Sequence, residues 1–423
     1  MGFLLTRSEP SDVASSAAGG PPQALHYASW DRVRSSMSPT NVIDVVQQAG
    51  LTGKGGAGFP THRKMRFMQA QPGPRKIVVL NGSEHEPGSL KDRHLMEHYP
   101  HTVLEGALIF AYAAQATEII VAVNRASPAC SQQLQNALEV ATQVGIDFAG
   151  VRVQIVGVPD TYIVGEETAL LEVIEGRQAL PKKKPPFPIE AGAFNAPTLI
   201  QNIETAAHLP LIFSAGAAAY RALGVNGKGL TLCTLGEEFN HAGVHEIPLG
   251  TPIRAVLEQW GGGLRSGLPI KAIQPGGPSS GFVQEKDFDL PLDAEVLRQH
   301  GASLGCAAIH AYSTRACMVE EIAAIMSFFA HGSCGQCPRC RMETNMLDTI
   351  MRRVLSGGGN WQLLAQIDKL IELSKGEGKC SLIDMPVAPI RTGLALFRDE
   401  FAAHVEGTCQ VCAARMAPAV GAQ

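Results

Sequence analysis

Three short runs of β-branched residues alternate with helical patterns in the first part of this chain. The runs are KIVVLNG (76–82), EIIVAVN (118–124) and VRVQIVGV (151–158), and helical patterns separate them around 91–115 and 131–144. This alternation predicts an α/β fold in which a parallel sheet carries helices on its faces. Ligands of such sheets bind at the carboxyl ends of the strands. Two polar segments near strand ends are therefore candidate sites, NGSEHEPG (81–88) and TYIVGEET (161–168).

The pattern changes at about residue 227. The segment LTLCTLGEEFNHAGVHEIPLGTPIRAVLEQWGGG reads as strand, turn, strand, helix and glycine stop, which predicts a small β-grasp-like module. Amphipathic helical spacing follows over 317–333 and 360–378. We therefore expect a disordered tail over 1–30, an α/β domain over 31–225, a β-grasp domain over 226–300, a helical domain over 301–405 and a C-terminal tail over 406–423.

Composition excludes several classes of protein. The net charge of −4 gives no reason to expect a nucleic-acid partner, and the longest apolar stretch, near GALIFAYAAQA, is too short to cross a bilayer. The first residues contain no adequate apolar core for a secretory signal. Five of the ten cysteines crowd into two C-x-x-C-type clusters. We therefore expect metal or redox chemistry in a reducing, cytoplasmic setting, with no direct membrane insertion.

A glycine-rich loop, GLTGKGGAGFP, occupies residues 50–60 and fits G-x-G-x-x-G at Gly53, Gly55 and Gly58. A dinucleotide fingerprint must follow a strand, but helical patterns lie on both sides of this loop. A Walker A loop is also excluded, because Lys54 is followed by glycine. Two interpretations stay open. The loop either cradles a phosphate or a flat ring against its backbone, or it is an ordinary flexible turn.

Cys334, Cys337 and Cys340 form a C-x-x-C-x-x-C triplet, and Cys380 follows in GKCSLID. Three thiolates in a tight turn with one remote thiolate suit a [4Fe–4S] cube, in which each iron needs one sulfur ligand. The alternative is a structural zinc site with four cysteines, although zinc sites more often use two separate cysteine pairs.

A second pair, Cys409 and Cys412, lies in HVEGTCQVC near the C-terminus. Two thiolates cannot complete a metal site alone. His404 could join them, a partner chain could complete the site, or the pair is unligated.

Several of these stretches together resemble one family. The glycine loop, NGSEHEPGSLKDR, YIVGEETALLEVIEG with KKKPPFP and QNIET, and SCGQCPRC with the later cysteine occur in the order found in the NADH-binding flavoprotein subunit of respiratory complex I. The same family serves NAD-linked formate dehydrogenases and hydrogenases. The resemblance covers roughly residues 38–405. Taken alone, the acidic and basic segments would be a polar turn, a helix cap and an exposed linker.

The resemblance implies a fold and cofactors. It implies a Rossmann-like FMN-binding α/β domain, a ubiquitin-like β-grasp domain and a C-terminal helical bundle carrying a [4Fe–4S] cluster. NADH would reduce FMN, and single electrons would pass to or from the cluster. No protein acid or base is obligatory, because hydride transfer needs proximity and orientation of two flat rings.

The resemblance also implies site residues. Glu86, Glu167 and Lys64 would lie at the reacting rings, and Cys334, Cys337, Cys340 and Cys380 would bind the cluster. The cofactor-binding positions that it implies are Gly53, Gly55, Gly56, Gly58, Phe59, Lys64, Phe67, Asn81, Ser83, Glu84, Glu86, Tyr162, Gly165, Glu166, Glu167, Lys184, Phe187, Gln201, Asn202 and Thr205. Among them, Phe59, Phe67 and Phe187 would enclose the adenine ring.

Five residues depart from the family pattern. Ser83 stands where aspartate is usual, His85 replaces serine, Gln201 replaces asparagine, Lys54 replaces arginine and Ile383 replaces glycine. Loss of the aspartate removes a hydrogen bond to the flavin, which leaves open a change in flavin affinity, potential or direction of electron flow.

Because of these departures, two other functions stay open. One is a flavin-free electron conduit or scaffold subunit, and another is a zinc-stabilised binding module without redox activity. Where the flavin is bound, we expect NADH preference over NADPH. We also expect a separate partner subunit with a thioredoxin-like [2Fe–2S] domain, together with further redox subunits of a complex.

Overall fold

The computed structural model describes residues 26–412. The predicted tail over 1–30 lies largely outside the described residues, but residues 28–30 already belong to the first helix. The predicted C-terminal tail is described only as far as Cys412.

Seventeen α-helical segments are described within residues 26–412. They are α1 Ala28–Ser36, α2 Pro39–Ala49, α3 Thr61–Gln69, α4 Lys91–His98, α5 Pro100–Ala114, α6 Pro128–Gln143, α7 Glu167–Ile174, α8 Ile203–Ala215, α9 Ala217–Ala222, α10 Ile253–Ala255, α11 Ala294–Gln299, α12 Met318–Gly332, α13 Pro338–Leu355, α14 Trp361–Leu364, α15 Gln366–Ser374, α16 Val387–Leu396 and α17 Arg398–Val405.

The described strands number nine. They are β1 Ile77–Gly82, β2 Glu118–Asn124, β3 Arg152–Val158, β4 Thr198–Asn202, β5 Leu230–Leu235, β6 Gly243–Pro248, β7 Ile270–Gln274, β8 Val283–Gln284 and β9 Ala308–Ser313. None of the helices in the described part is long and apolar enough to cross a membrane.

The first sheet has the order β3-β2-β1-β4, and its strands are parallel throughout. The first three strands match the predicted runs within one residue at each end. The strand order reverses between β1 and β4, so the carboxyl ends of these two strands form a topological switch point. Asn81 and Asn202 are register partners at this point.

Local sequence explains the elements around the glycine loop. The hydroxyl of Ser38 accepts a hydrogen bond from the backbone N–H of Asn41 and caps α2. Gly50 ends α2 with a left-handed φ of 68°. A bridge between Thr52 and Pro60 then closes the loop before α3 begins. The predicted helix–loop–helix arrangement is confirmed.

The chain divides into two compact units that interleave along the sequence. Among the described residues, the first contains 26–85, 89–234 and 243–251, and the second contains 86–88, 235–242 and 252–412. The segment predicted as a β-grasp domain contributes to both units, so the domain limits at 225/226 and 300/301 stay a prediction.

The core of the first unit lies on both faces of the parallel sheet. Val78 and Leu80 of β1 pack on the face that α5 and α8 cover. Ile77 and Val79 point the other way and pack with residues of α7. Because both faces of β1 and β2 are buried, these two strands read as nearly continuous apolar runs.

The second unit combines an antiparallel ladder with helices. Strand β7 pairs with β8 and with β9. Helices α12 and α13 pack against each other, and α16 and α17 contact α12. The helical region predicted from 360–378 is interrupted, because α14 ends at Leu364 and α15 begins at Gln366.

Candidate functional site

The carboxyl end of β1 is fixed to a second segment of the first unit. The amide nitrogen of Asn81 donates to the carbonyl of Gly165 over 3.1 Å. The amide oxygen of Asn81 accepts from the backbone N–H and the hydroxyl of Ser83, at 3.2 and 2.6 Å. Gly165 ends a short 3₁₀ turn that begins at Tyr162. Three predicted site residues, Asn81, Ser83 and Gly165, therefore meet at the end of one strand.

The glycine loop rests on the start of α8. The backbone N–H of Lys54 donates to the hydroxyl of Thr205 over 2.9 Å. A Cβ atom on Gly55 would lie 3.3 Å from the Cβ of Asn202, which leaves room for glycine but crowds any side chain. A Cβ on Gly58 would meet no protein atom within 4 Å. One side of the loop is thus packed against β4 and α8, and Gly58 faces open space.

The loop also holds a fixed backbone conformation. The N–H of Gly53 donates to the carbonyl of Phe59 over 2.9 Å. Gly56 and Gly58 have φ values of 109° and 63°, a region that disfavours residues with a side chain. The loop therefore has a defined backbone, and its role as a ligand cradle rather than an ordinary turn stays a prediction.

Two lysines and two glutamates converge beside the loop. The ammonium of Lys184 lies 2.7 Å from Glu167 and 3.3 Å from Glu166, and that of Lys64 lies 3.7 Å from Glu167. Glu166 also caps α7, because its other oxygen accepts the N–H groups of Thr168 and Ala169. The two positive and two negative charges cancel, and all four side chains are partly accessible to solvent.

Neighbouring charges act on Lys184. Burial alone lowers the pKa of an ammonium, but the hydrogen bond and charge of Glu167, assisted by Glu166, hold the pKa of Lys184 above its ordinary value. Lys184 is therefore a fixed positive charge at neutral pH. It lies one residue before the proline pair of KPPFP.

Three phenylalanines of the first unit leave their rings in solvent. Phe59, Phe67 and Phe187 are 37%, 48% and 50% exposed. Large aromatic side chains are usually buried, so their exposure is typical of surfaces that stack a flat ligand. These are the residues predicted to enclose the adenine ring.

A buried ionic network supports the loop from beneath, and the sequence patterns did not assign it a role. The carboxylate of Glu204 is fully buried and lies 2.9 Å from the ammonium of Lys91 and 3.3 Å from His208. Lys91 also lies 2.9 Å from Asp92. The ammonium of Lys54 is buried too and donates to the carbonyl of Leu230.

Burial and charge oppose each other within this network. Burial alone would raise the pKa of Glu204, but Lys91, His208 and Lys54 hold it below its ordinary value. Burial lowers the pKa of Lys54 and raises that of Asp92. Lys91 and Asp92 lie within NGSEHEPGSLKDR, and Glu204 lies within QNIET. The sequence signal that could have revealed this network is the presence of charged residues in motifs flanked by apolar segments.

Glu84 and Glu86, in the acidic loop after β1, make different contacts. Glu84 caps α4, since its oxygens accept the N–H groups of Asp92 and Arg93 at 2.9 and 2.8 Å. Glu86 belongs to the second unit, where it accepts the hydroxyl of Ser279 over 3.1 Å. Of the two predicted acids, Glu84 therefore positions the loop through its cap.

His85 and Gln201, two departures from the family pattern, are buried in the first unit. The ring of His85 lies 3.2 Å from Asn124 and 3.4 Å from Asp160, at the carboxyl end of β2. Burial lowers the pKa of His85. The amide nitrogen of Gln201 is buried without a hydrogen-bond partner.

These features test whether FMN fits. An unpartnered amide donor at the switch point suits a ring that carries carbonyl and nitrogen acceptors. The glycine loop leaves backbone uncovered beside it, and Lys64 reaches the carbonyl of Ile200 in the same region over 3.5 Å. The residues fit a flavin.

The predicted cluster cysteines come together in the second unit. Cys337 caps α13, Cys340 lies in its first turn, and Cys334 lies just after α12. The backbone N–H of Lys379 donates to the sulfur of Cys337 over 3.4 Å, which brings the segment of Cys380 to the triplet. Ile383 packs against Gly378, where a Cβ would lie 2.8 Å from the Ile383 side chain.

Comparisons with known proteins agree with this geometry. Residues 46–211 match the Nuo51 FMN-binding domain, and residues 320–404 match the iron-sulfur binding region of NADH-ubiquinone oxidoreductase-F. The F subunit of the NADH-quinone oxidoreductase of Mycobacterium bovis is 37% identical over 88% of this chain and 86% of the relative. The corresponding protein of Escherichia coli is 33% identical over 90% of this chain and 88% of the relative. The chain belongs to the family of NADH-quinone oxidoreductase F subunits.

A solved structure shares the fold. The chain superimposes on a chain of an NAD⁺-reducing [NiFe]-hydrogenase with a TM-score of 0.83 and 28% identity. The match covers 90% of this chain and 65% of the hydrogenase chain.

Membership of this family establishes the cofactors and the class of reaction. The chain is an oxidoreductase subunit with FMN and a [4Fe–4S] cluster, which passes electrons between NADH, the flavin and the cluster. The alternative of a non-redox zinc-stabilised module is wrong. All four cluster cysteines lie within the matched iron-sulfur region.

Proposed function

We propose that NADH is oxidised at the switch point of the first sheet, between the glycine loop and the N-terminus of α7. One observation carries the proposal. Four distant segments converge there through direct contacts, namely Lys54 to Thr205, Gly55 to Asn202, Lys64 to Glu167, and Asn81 to Gly165. The sequence patterns single out each of these segments.

The residues divide the work of binding. Gly53, Gly55, Gly56 and Gly58 seat the flavin, which when bound accepts a hydride from NADH and releases electrons singly. Gln201 and Asn81 lie at the strand ends beneath it, and Asn81 fixes the 3₁₀ turn through Gly165. The exposed rings of Phe59, Phe67 and Phe187 stack the adenine. No residue needs to move a proton, since the protein aligns the two rings.

Lys64, Lys184 and Glu167 hold the polar part of the nucleotide. Glu167 contacts both lysines, so it neutralises much of the positive charge that a phosphate would seek. A 2′-phosphate brings further negative charge to this region. We therefore expect preference for NADH over NADPH.

A single substitution tests these roles. Glu167→Gln removes the negative charge beside Lys64 and Lys184, and the glutamine side chain has nearly the same shape as glutamate. We expect the ratio of kcat/KM for NADPH to that for NADH to rise by about ten-fold, which corresponds to about 1.4 kcal/mol. Activity is measured with an artificial electron acceptor, and FMN content is measured in parallel.

Glu139→Gln is the matched control. Glu139 lies on the exposed side of α6, so its substitution removes the same charge elsewhere. An equal change of the ratio in both variants, or no change in either, would remove Glu167 from the nucleotide site.

The flavin itself distinguishes the enzyme from a flavin-free electron conduit. The purified chain is expected to contain FMN, and its visible flavin absorbance should bleach when NADH is added without oxygen. Iron–sulfur absorbance without flavin, after reconstitution with excess FMN, would favour the conduit.

The chain is proposed to work in the cytoplasm with a separate subunit that carries a thioredoxin-like [2Fe–2S] domain. Support comes from relatives named as subunits of NADH-quinone oxidoreductase, and from the thiol clusters, which require a reducing compartment. Purification of a tagged chain from its native host should recover such a subunit. Full activity of the isolated chain with its natural acceptor would contradict this.

A further inference from the structure

We propose that Cys317, His404, Cys409 and Cys412 form a second metal site that binds one zinc ion. One ligand atom from each residue lies within 4.8 Å of the other three. The imidazole nitrogen Nε2 of His404 lies 3.1 Å from the sulfur of Cys317 and 3.7 Å from that of Cys412. The site uses none of the four predicted [4Fe–4S] cysteines.

The distances fit a single ion. Zn–S bonds of about 2.3 Å and Zn–N bonds of about 2.0–2.1 Å place tetrahedral ligand atoms about 3.5–3.8 Å apart. A [4Fe–4S] cube would spread its ligands further, because each ligand binds a different iron. Three thiolates with one imidazole are a common donor set of structural zinc, and four protein ligands leave no open position.

The local fold brings the four residues together. Cys317 caps the N-terminus of α12 and is buried. His404 lies in the last turn of α17 and is buried as well. After α17 the N–H groups of Gly407 and Thr408 donate to the carbonyls of His404 and Ala403.

This end of α17 is a Schellman motif, in which Gly407 has a left-handed φ of 69°. The motif reverses the chain and returns Cys409 towards His404. Cys412 follows one helical turn later. Residues 407–412 are therefore folded back towards His404.

Three of the four ligands lie outside both matched family regions. The iron-sulfur region ends at His404, so Cys317, Cys409 and Cys412 lie outside it. Helix α12 has 15 residues and spans about 22 Å, with Cys317 at its start and Cys334 two residues after its end. Zinc has no redox chemistry. The site therefore has a structural role, in which it ties residues 409–412 to the start of α12 and the end of α17.

Metal analysis of the full-length protein tests the proposal. Purified anaerobically, the chain should contain one zinc per chain in addition to the iron of its cluster. Cys409→Ser combined with Cys412→Ser should lose the zinc and keep the iron. Cobalt added in place of zinc should give the intense visible bands of tetrahedral coordination together with a thiolate charge-transfer band.

Histidine variants provide a matched pair. His404→Gln should lose or strongly weaken zinc binding, whereas His331→Gln should retain it, because His331 is exposed on α12 and bonds only to Ser327 among the contacts described. Three outcomes would overturn the proposal: a chain without zinc, zinc that persists in the double cysteine variant, and a disulfide between two of the three thiols. Iron in place of zinc would overturn the assignment of the ion.

Discussion

At the scale of single residues, substitution of Gly58 can distinguish the effect of backbone strain from that of steric exclusion of the flavin. Its φ of 63° disfavours a side chain, and a Cβ there would meet no protein atom within 4 Å. We expect Gly58→Ala to fold with its iron–sulfur absorbance intact but to lose FMN and NADH oxidation. The strain costs about 1 kcal/mol, which is small beside a stability of about 5–15 kcal/mol. FMN released by denaturation, per chain, is the measurement.

Gly145 supplies the matched control. It has a φ of 79°, lies at the end of α6, and its added Cβ would also meet open space. Gly145→Ala carries the same backbone strain away from the loop, so it should keep its FMN. If both alanine variants lost flavin equally, strain would explain the effect and the loop would not be a flavin seat.

The sequence patterns singled out the residues of the candidate site, but they could not show which residues contact one another. Lys64 and Glu167 lie 3.7 Å apart, and their roles at the reacting rings stay a prediction. Lys54 could not be interpreted from its neighbours, because its side chain is buried beside Glu204, which lies 150 positions further along the chain. Only the fold brings such partners together.

At the scale of elements, the site depends on the close crossing of α5 and α8. A Cβ on Gly106 of α5 would lie 2.0 Å from the carbonyl oxygen of Ala206 in α8. The backbone of α8 would have to move, and α8 carries Glu204 and Thr205 beneath the glycine loop. We expect Gly106→Ala to lower stability by about 1–3 kcal/mol or more and to reduce FMN content.

Thermal unfolding and FMN content together test the crossing. Gln133→Ala on the exposed face of α6 is the control, and it should change neither quantity. Normal stability of Gly106→Ala would show that the two helices can separate without cost.

Helix α7 is tied to the basic loop by Glu172. The carboxylate of Glu172 lies 2.5 Å from both Arg177 and Lys182. The hydrogen bond from Arg177, opposed by burial and aided by Lys182, lowers the pKa of Glu172 to about 2. Because the folded pKa lies below the ordinary value, the stabilisation is present above about pH 4.5 and is lost as pH falls towards about 2.

We therefore expect Glu172→Gln to unfold at a lower temperature than the natural protein at neutral pH. The difference should shrink as pH falls below about 4.5, since glutamine and protonated glutamate then have the same charge. Circular dichroism melts across this range measure it. A difference that stays constant with pH would assign the effect to packing instead of charge.

The elements show where sequence patterns succeed. Strands β1–β3 were predicted almost to the residue, because their runs are β-branched and both faces of β1 and β2 are buried. Strand β4 was missed, since Thr198–Asn202 is short and its last two residues are polar. The predicted helix over 91–115 is two helices, because Pro100 begins α5 directly after α4.

At the scale of the whole molecule, each compact unit holds its own cofactor residues. The proposed flavin seat lies in the first unit except for Glu86, and the iron–sulfur cysteines lie in the second. Zinc at Cys317, His404, Cys409 and Cys412 would add a further metal to the second unit. The sequence raised His404 as a partner of the C-terminal pair but not Cys317, which precedes that pair by 92 positions.

Separate cofactor sites predict that one can be lost without the others. Cys337→Ala removes the cysteine that caps α13 and accepts the N–H of Lys379. We expect the variant to lose its cluster iron while it keeps FMN, its zinc and the bleaching of flavin absorbance by NADH. Hydride transfer needs only the nucleotide and flavin seats, to which Cys337 does not contribute, so the first half of the reaction should survive. Loss of FMN together with iron in this variant would show that the second unit is needed to form the flavin seat.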